Sequence, residues 1–335
     1  MTPRNSKSDN ERGAVLLTTL LIMTLMAALA VALIEDIRFA VKRAASTQAY
    51  AQADWYAVSA EDFAVSYLGA EFANLTPVEI NAKLNENAPF ILPIDGGSLT
   101  LDVRDGSQCF SLSRLVDAPA RQEFEDLLIE TGMNSFEAKR LSFAAADWMD
   151  EDSQLSQNGA EDFTYLVADP AYRTANALFT SVMEMRSLKG MSEDIYQSIR
   201  PFICARPEGE TGAINVNTLN EAQLPLLTAA LGGGRENATL AETLLSSRPP
   251  DGYQSAADIA AVFGEAGELP EGLSTETLGF VPSHIWVEAD IRYRNARRVV
   301  SMEFAVNETE ITRISRYIGA EARRPRPVIK NPFEP

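Results

Sequence analysis

Histidine and cysteine are scarce in this chain of 335 residues, which contains one His and two Cys. A single histidine, His284, excludes a His-rich metal cluster and argues against a Ser-His-Asp triad. Cys109 and Cys204 do not form a C-x-x-C motif, so a zinc ribbon or a thioredoxin-like redox motif is excluded. In an oxidising compartment the two cysteines would pair, and in a reducing one they would be two free thiols.

Positively charged residues are also few compared with negatively charged ones. The chain has 29 Lys and Arg against 47 Asp and Glu, a net charge of −18 and an isoelectric point near 4.6. Nucleic acids favour basic surfaces, so this balance argues against a nucleic-acid partner. It fits an extracytoplasmic protein or one that binds cations.

One apolar run, residues 14–34, contains no charged residue. As a helix it is about 31 Å long, the thickness of the hydrocarbon core of a bilayer, which predicts one transmembrane helix. Arg4, Lys7 and Arg12 precede it and favour a cytoplasmic N-terminus with the remaining chain in the periplasm. No Pro occurs between Ala14 and Leu75, so we predict one helix of about 55 residues that continues beyond the membrane.

The junction between Gly13 and Ala14 resembles that of type IV pilin precursors, in which prepilin peptidase cuts after the Gly and leaves the apolar helix on the mature protein. Residues 1–13 would then be the leader. Two alternatives are a signal-peptidase cut at the A-x-A sequence of residues 28–30 and an uncleaved anchor. Pilins usually have Glu at mature position five, where this chain has Thr18. The absence of that charge would suit a subunit with no neighbour above it.

Strand periodicity occurs on both sides of a long helical region. Residues 98–104 alternate as a half-buried strand, and residues 284–291 and 297–306 form a predicted β-hairpin. Between them we predict helices at residues 119–131, 134–149, 178–187, 192–201, 218–231, 237–247 and 255–263, with a capping box at Thr218 and Glu221. This pattern predicts an α+β fold in which the long helix packs on a small antiparallel sheet and an all-α lobe is inserted between the strands.

The predicted domain boundaries follow from these elements. The segments are a leader (1–13), a transmembrane helix (14–34), the periplasmic half of the long helix with the first part of the sheet (35–107), an inserted α-helical domain (108–282), a C-terminal β-hairpin (283–307) and a disordered basic tail (308–335).

An acidic segment follows the predicted helix 134–149. Residues 147–162 contain six carboxylates and no Lys or Arg. A hard cation such as Ca²⁺ takes six to eight oxygen ligands, which clustered carboxylates around the turn at Gly159 can supply. The alternative is a solvated charge run, and Trp148 and Tyr165 at its edges favour an ordered loop instead. Glycosidase chemistry would need a sugar cleft that nothing else in the sequence indicates.

Two short segments, residues 188–192 and 214–218, resemble turns of helix-hairpin-helix units. Such turns often bind DNA phosphates through backbone amides. The surrounding residues are acidic, so Coulomb repulsion favours a structural role for these turns. A membrane-anchored DNA-uptake protein remains an alternative, as does an anchored hydrolase, for which no nucleophile–base pair can be named.

Taken together, these motifs resemble the GspK family, the large minor pseudopilins of type II secretion systems. The resemblance extends over nearly the whole chain. It rests on residues 11–17, the missing Glu at mature position five, residues 52–57, the acidic segment with Tyr165, and residues 169–173, 188–190, 201–204 and 214–218.

Several properties are implied by this resemblance. The family has a pilin fold with a large helical insertion, is not enzymatic and lies at the tip of the pseudopilus with the I- and J-type minor pseudopilins. The other implied partners are the major pseudopilin, the inner-membrane assembly platform and prepilin peptidase. A disulfide between Cys109 and Cys204, structural Ca²⁺ and methylation of Ala14 are also implied. The carboxylates carried over as calcium ligands are Asp147, Asp150, Asp152, Glu161 and Asp162. A minor pilin that primes a type IV pilus is the nearest alternative.

Overall fold

The computed structural model describes residues 7–72, 74–86, 88–207, 209, 212–263, 275–306, 311–319 and 323–328. The predicted leader lies partly outside this range. Its helices are α1 (Lys7–Phe72), α2 (Pro77–Asn85), α3 (Ala118–Glu130), α4 (Ser135–Met149), α5 (Asp162–Tyr165), α6 (Glu193–Ile199), α7 (Leu224–Ala230), α8 (Gly234–Ser246) and α9 (Ala256–Phe263). Its strands are β1 (Phe90–Ile94), β2 (Gly97–Asp105), β3 (Phe110–Ser111), β4 (Ile203–Cys204), β5 (Ile214–Asn215), β6 (Leu278–Gly279), β7 (His284–Tyr293), β8 (Ala296–Val306) and β9 (Ile311–Ile318).

The long helix α1 confirms the prediction of one continuous N-terminal helix and contains 66 residues. Residues 13–45 are exposed along their whole length, and this part is long and apolar enough to cross a membrane. Burial begins at Ala49, and the stripe that follows is made almost entirely of alanine: Ala49, Ala53, Ala57, Ala60, Ala64 and Leu68. These residues recur every three or four positions, so they occupy one face of the helix, and their small side chains let α1 approach the sheet closely.

Five antiparallel strands form the sheet in the order β1-β2-β7-β8-β9. Side chains alternate across it, so Leu101 pairs with Ala289 on the face that packs on α1, whereas Asp102 pairs with Glu288 on the opposite face. The predicted hairpin is confirmed, with Val287 opposite Met302 in the core.

The helical lobe begins where β2 ends and ends where β7 begins. β2 and β7 are neighbours, and the amide of Gly106 donates to the carbonyl of His284 at 2.8 Å, so the chain leaves and re-enters the sheet at one place. The lobe has its own hydrophobic core, which includes Phe110, Phe124 and Tyr196. The insertion of an all-α lobe between strands is therefore confirmed, although short strand pairs, β3 with β4 and β5 with β6, accompany its helices.

The prediction of a disordered tail from residue 308 is wrong for residues 311–318, which form β9 against β8. Residues 323–328 are also described, and Arg323, Arg324 and Pro325 are partly buried. Residues 307–310, 320–322 and 329–335 lie outside the described part of the chain. The tail folds back because its arginines meet the acidic outer face of the sheet, where Arg326 contacts Asp102 at 3.0 Å.

Two local predictions in the lobe need correction. The capping box predicted at Thr218 and Glu221 lies two residues later, where Asn220 caps Ala222 and the side chain of Gln223 accepts from the Asn220 amide. The Thr218 hydroxyl instead donates to Asp105 at 2.6 Å, so it is not available as a cap. The segment 178–187 contains a 3₁₀ helix at Val182–Ser187.

Candidate functional site

The C-terminus of α4 and the loop after it bring three of the predicted carboxylates together. Asp147 lies in the last turn of α4, Asp150 follows the end of that helix, and Glu161 is the N-cap of α5. One ligand oxygen from each of the three lies within 4.8 Å of the others. We call this group the carboxylate cluster.

The carboxylate cluster is buried and incompletely hydrogen-bonded. Asp147 is 0 % exposed and Glu161 is 3 % exposed. Among the described residues, Asp147 Oδ1, Asp150 Oδ1 and Glu161 Oε1 have no hydrogen-bond partner. Buried polar atoms are nearly always paired, so three buried acceptors without a partner are unusual in one place.

Burial and neighbouring negative charge also raise the pKa of two of these carboxylates. Burial, reinforced by the charges of Asp147 and Asp152, raises the pKa of Asp150 to about 6. Burial also raises the pKa of Glu161, and the nearby aspartates act in the same direction. A cation between the carboxylates would reverse both effects, because it favours the ionised form of each group.

Gly159 lets the loop close on the carboxylate cluster. A Cβ at this position would lie 2.0 Å from Asp147 Oδ2, so only glycine fits here. The amide of Ser156 donates to the same Asp147 oxygen at 3.2 Å, and the amide of Gly159 donates to the Ser156 carbonyl at 2.9 Å. The loop is therefore folded around the Asp147 side chain.

The other two predicted ligands are engaged elsewhere. Asp152 Oδ1 accepts a hydrogen bond from the amide of Gln154 at 2.7 Å, which closes a local turn. Asp162 accepts from the amide and hydroxyl of Thr174 at 3.0 and 2.9 Å and pairs with Arg173. These two carboxylates are close to the carboxylate cluster in sequence, but their hydrogen-bond partners lie in the local backbone or beyond the acidic segment.

Three aromatic rings fix the loop against the lobe. Trp148 meets Tyr165 edge to face at a centroid distance of 5.4 Å, and Tyr165 packs on Tyr172 at 5.2 Å. The Tyr165 hydroxyl accepts from the amide of Lys189 at 3.3 Å. This confirms the prediction of an ordered loop. It also shows that the predicted hairpin turn at residues 188–192 uses a backbone amide for internal packing.

The carboxylate cluster offers oxygen ligands alone, which is the donor set of a hard cation. Asp147, Asp150 and Glu161 fit Ca²⁺ through their three orphaned carboxylate oxygens, which lie within 4.8 Å of one another. They would hold the ion, and its charge would offset their mutual repulsion.

The remaining predicted residues lie far from the carboxylate cluster in sequence. Cys109 and Cys204 form the predicted disulfide, beside the β3–β4 pair. Gly13 is an exposed helical residue, and a Cβ at this position would have no atom within 4 Å. Ala14 is exposed beside it. Cleavage after Gly13 remains a prediction.

Comparison with known proteins agrees with this architecture. Residues 108–208 and 214–278 match two family models that are both described as type II secretion system protein K. The chain is 34 % identical over 274 residues to the type II secretion system protein K of Pectobacterium carotovorum, covering 78 % of this chain and 81 % of the relative. The chain belongs to the type II secretion system protein K family. The protein K of Pseudomonas aeruginosa is 32 % identical, with 79 % and 80 % covered.

This protein K family member shares its fold with one chain of a solved structure, the GspK-GspI-GspJ complex of enterotoxigenic Escherichia coli. The TM-score is 0.71 and the sequence identity is 24 %, and the match covers 83 % of this chain and 99 % of the solved chain. The predicted GspK resemblance is therefore confirmed, and so is the predicted fold class.

Proposed function

We propose that this chain is a non-enzymatic minor pseudopilin that caps the tip of a type II secretion pseudopilus. The observation that supports this most directly is the placement of the helical lobe, which is inserted between β2 and β7 of the sheet that packs on α1. A helical filament repeats its subunits at short intervals, and a lobe of this size would obstruct the next subunit at every internal position. At the tip there is no next subunit.

Thr18 supports the same position in the filament. Its hydroxyl donates to the carbonyls of Ala14 and Val15 at 3.2 and 2.9 Å, so this polar group is satisfied within the helix. A glutamate here would need a positive partner inside the membrane, such as the N-terminal amine of a neighbouring subunit. Threonine requires none.

The proposed topology is a single-pass inner-membrane protein with a cytoplasmic N-terminus and a periplasmic sheet and lobe. Prepilin peptidase would cut after Gly13, and Ala14 would become the methylated N-terminus. The mass of the mature N-terminal peptide tests both steps, because cleavage and methylation each change it by a defined amount. A peptide that begins after Ala30 would instead indicate signal peptidase.

The proposed partners at the tip are I- and J-type minor pseudopilins, by analogy with the GspK-GspI-GspJ complex, with the major pseudopilin and the assembly platform below them. The test is light scattering of the fragment from residue 45, mixed with soluble I- and J-type subunits in calcium. Residues 13–45 bury no side chain, so their removal leaves the core intact. A stable 1:1:1 species is expected. A monomer beside a free partner pair would favour a type IV pilus or DNA-uptake protein instead.

Calcium is the proposed structural ligand of the carboxylate cluster. Removing it would leave Asp147, Asp150 and Glu161 facing one another with unpaired charge. The expected result is a lower melting temperature in chelator than in calcium. Equal melting temperatures would contradict the proposal.

A further inference from the structure

A polar cavity lies where the sheet, the helical lobe and residues 323–328 meet. Its volume is about 370 Å³. Among the described residues, the ionisable groups that line it are Arg104, Asp105, Arg248, Arg324 and Arg326, and the indole of Trp286 lines it as well. We call it the junction cavity.

The charge balance of the junction cavity is opposite to that of the whole chain. Four arginines line it in a protein whose net charge is −18. The lining carboxylate, Asp105, is already engaged, because it accepts from the Thr218 hydroxyl at 2.6 Å and the Asn215 amide group at 2.7 Å. Its charge acts to raise the pKa of Arg324, but it forms no ion pair with the four described arginines of the lining.

Two of these arginines bond to backbone carbonyls alone. Arg248 donates to the Leu219 carbonyl at 2.6 Å, and its Nε is buried without a hydrogen-bond partner in the described structure. Arg324 donates to the carbonyls of Gly106 and Gln108. Neither guanidinium forms an ion pair with a described residue. A buried cation without a carboxylate is costly, since desolvation is not offset by a counter-charge.

The other two arginines share one acidic partner, and Arg104 has a second in Glu288 at 3.5 Å. Arg326 contacts Asp102 at 3.0 Å, and Arg104 Nε lies 3.4 Å from the same carboxylate. Burial is the main cause that lowers the pKa of Arg324 to about 9; the charge of Glu303 opposes this shift, and the charges of Arg206 and Arg104 add to it. Arg104 and Arg326 are therefore paired with carboxylates, whereas Arg324 and Arg248 form no ion pair with a described residue.

A neutral donor is also unsatisfied beside the junction cavity. Trp286 is 6 % exposed, and its indole Nε1 has no hydrogen-bond partner among the residues described. Buried indole N–H groups usually find an acceptor. The junction cavity therefore combines two guanidinium groups that have no ion pair with a described residue and an indole that has an orphaned N–H donor, and the one carboxylate in its described lining is already hydrogen-bonded.

We propose that the junction cavity is a binding site for a carboxylate ligand, held by Arg248 and Arg324 and closed by the C-terminal segment 323–328. Guanidinium groups bind carboxylates through paired, charge-assisted hydrogen bonds. The carboxylate is supplied either by a small polycarboxylate or by acidic side chains of a protein segment docked at the junction. The C-terminal segment is then a wall of the binding site.

Isothermal titration of the full chain in detergent micelles tests this, with citrate and an acetylated oligoglutamate peptide as probes. Arg248→Gln and Arg324→Gln are the test variants, and Arg140→Gln is the matched control, because Arg140 is exposed on α4 and does not line the junction cavity. Loss of one charge-assisted contact weakens binding by about tenfold or more. We expect that loss in both test variants and no change in the control. Circular dichroism of each variant shows that it is folded.

The probes distinguish the two sources of the carboxylate. Tighter binding of citrate indicates a free small anion, and tighter binding of the peptide indicates a protein segment. A chain that ends at Gly319 should lose binding of both, because it lacks Arg324 and Arg326. The proposal is overturned if neither probe binds at millimolar concentration, or if Arg140→Gln weakens binding as much as Arg248→Gln does.

Discussion

Replacing Gly159 by alanine should disrupt the carboxylate cluster without changing any charge. The new Cβ would lie 2.0 Å from Asp147 Oδ2 and 2.7 Å from Asp147 Cγ, whereas ordinary contacts begin near 3.4 Å. Asp147 is 0 % exposed, so it cannot turn into solvent. Either Asp147 or the loop must move by more than an ångström, and overpacking of this kind costs about 1–3 kcal/mol of unfolding free energy.

The same displacement should remove the calcium response. If Ca²⁺ at a hundred times its dissociation constant binds the folded wild type alone, it stabilises that state by about 2.7 kcal/mol. In a domain of this size each kcal/mol corresponds to roughly 2–4 °C in melting temperature. Gly159→Ala should therefore melt at nearly the same temperature in calcium and in chelator, and below the wild type in calcium.

Gly69→Ala is the matched control for this experiment. Gly69 lies within α1, and a Cβ there would have no atom within 4 Å. Alanine is favoured over glycine inside a helix by about 0.5–1 kcal/mol, so this variant should melt slightly higher and keep the full calcium response. The reasoning is refuted if thermal unfolding of Gly159→Ala shows the wild-type calcium shift.

Three further predictions concern the base of the lobe. Arg206 donates to Glu303 at 2.8 Å, and both side chains are buried, so Arg206→Leu should cost about 3–5 kcal/mol in urea unfolding, and a double variant with Glu303→Leu should cost less. Replacing Cys109 and Cys204 by alanine should lower the free energy of unfolding by about 4–5 kcal/mol, since the disulfide closes a loop of 95 residues; an unchanged urea midpoint would contradict this. Burial, together with Arg206, lowers the pKa of His284 to about 3, so the unfolded state binds the extra proton between that value and about 6.5. The contribution of His284 to the free energy of unfolding is then complete above about pH 6.5 and falls by up to about 1.4 kcal/mol per pH unit below it. Urea unfolding at several pH values should show a smaller slope for His284→Gln.

The elements that could be predicted from the sequence are those with a strong local signal. α1 has an uncharged apolar run and no Pro for most of its length, and the β7–β8 hairpin has two alternating segments joined by a short polar turn. β1 is hidden from such reasoning because it contains Pro93, which normally argues against a strand and is tolerated here at the edge of the sheet. β9 is hidden because its side chains are all exposed or partly exposed, which leaves no clear alternation.

The sequence predicts that carboxylates gather in this segment, but it does not predict which of them meet. Sequence proximity groups Asp152 and Asp162 with the others, yet the direction of each side chain depends on the backbone turns between them. Asp162 is held by Arg173 and Thr174, which follow the acidic segment. The junction cavity could not be predicted at all, because its lining comes from widely separated parts of the chain, the β2 strand, the α8–α9 connection and the C-terminal segment among them.

The hydrogen bond between Gly106 and His284 has a consequence for how such a chain could arise. It closes β2 and β7 at the point where an ordinary hairpin would have its turn, so the entire lobe occupies the place of a loop. Excising residues 107–283 and joining the strands with a short turn would leave each pairing of the sheet in register. The lobe is thus a module that a smaller ancestor could acquire, enlarge or discard while its sheet stayed unchanged.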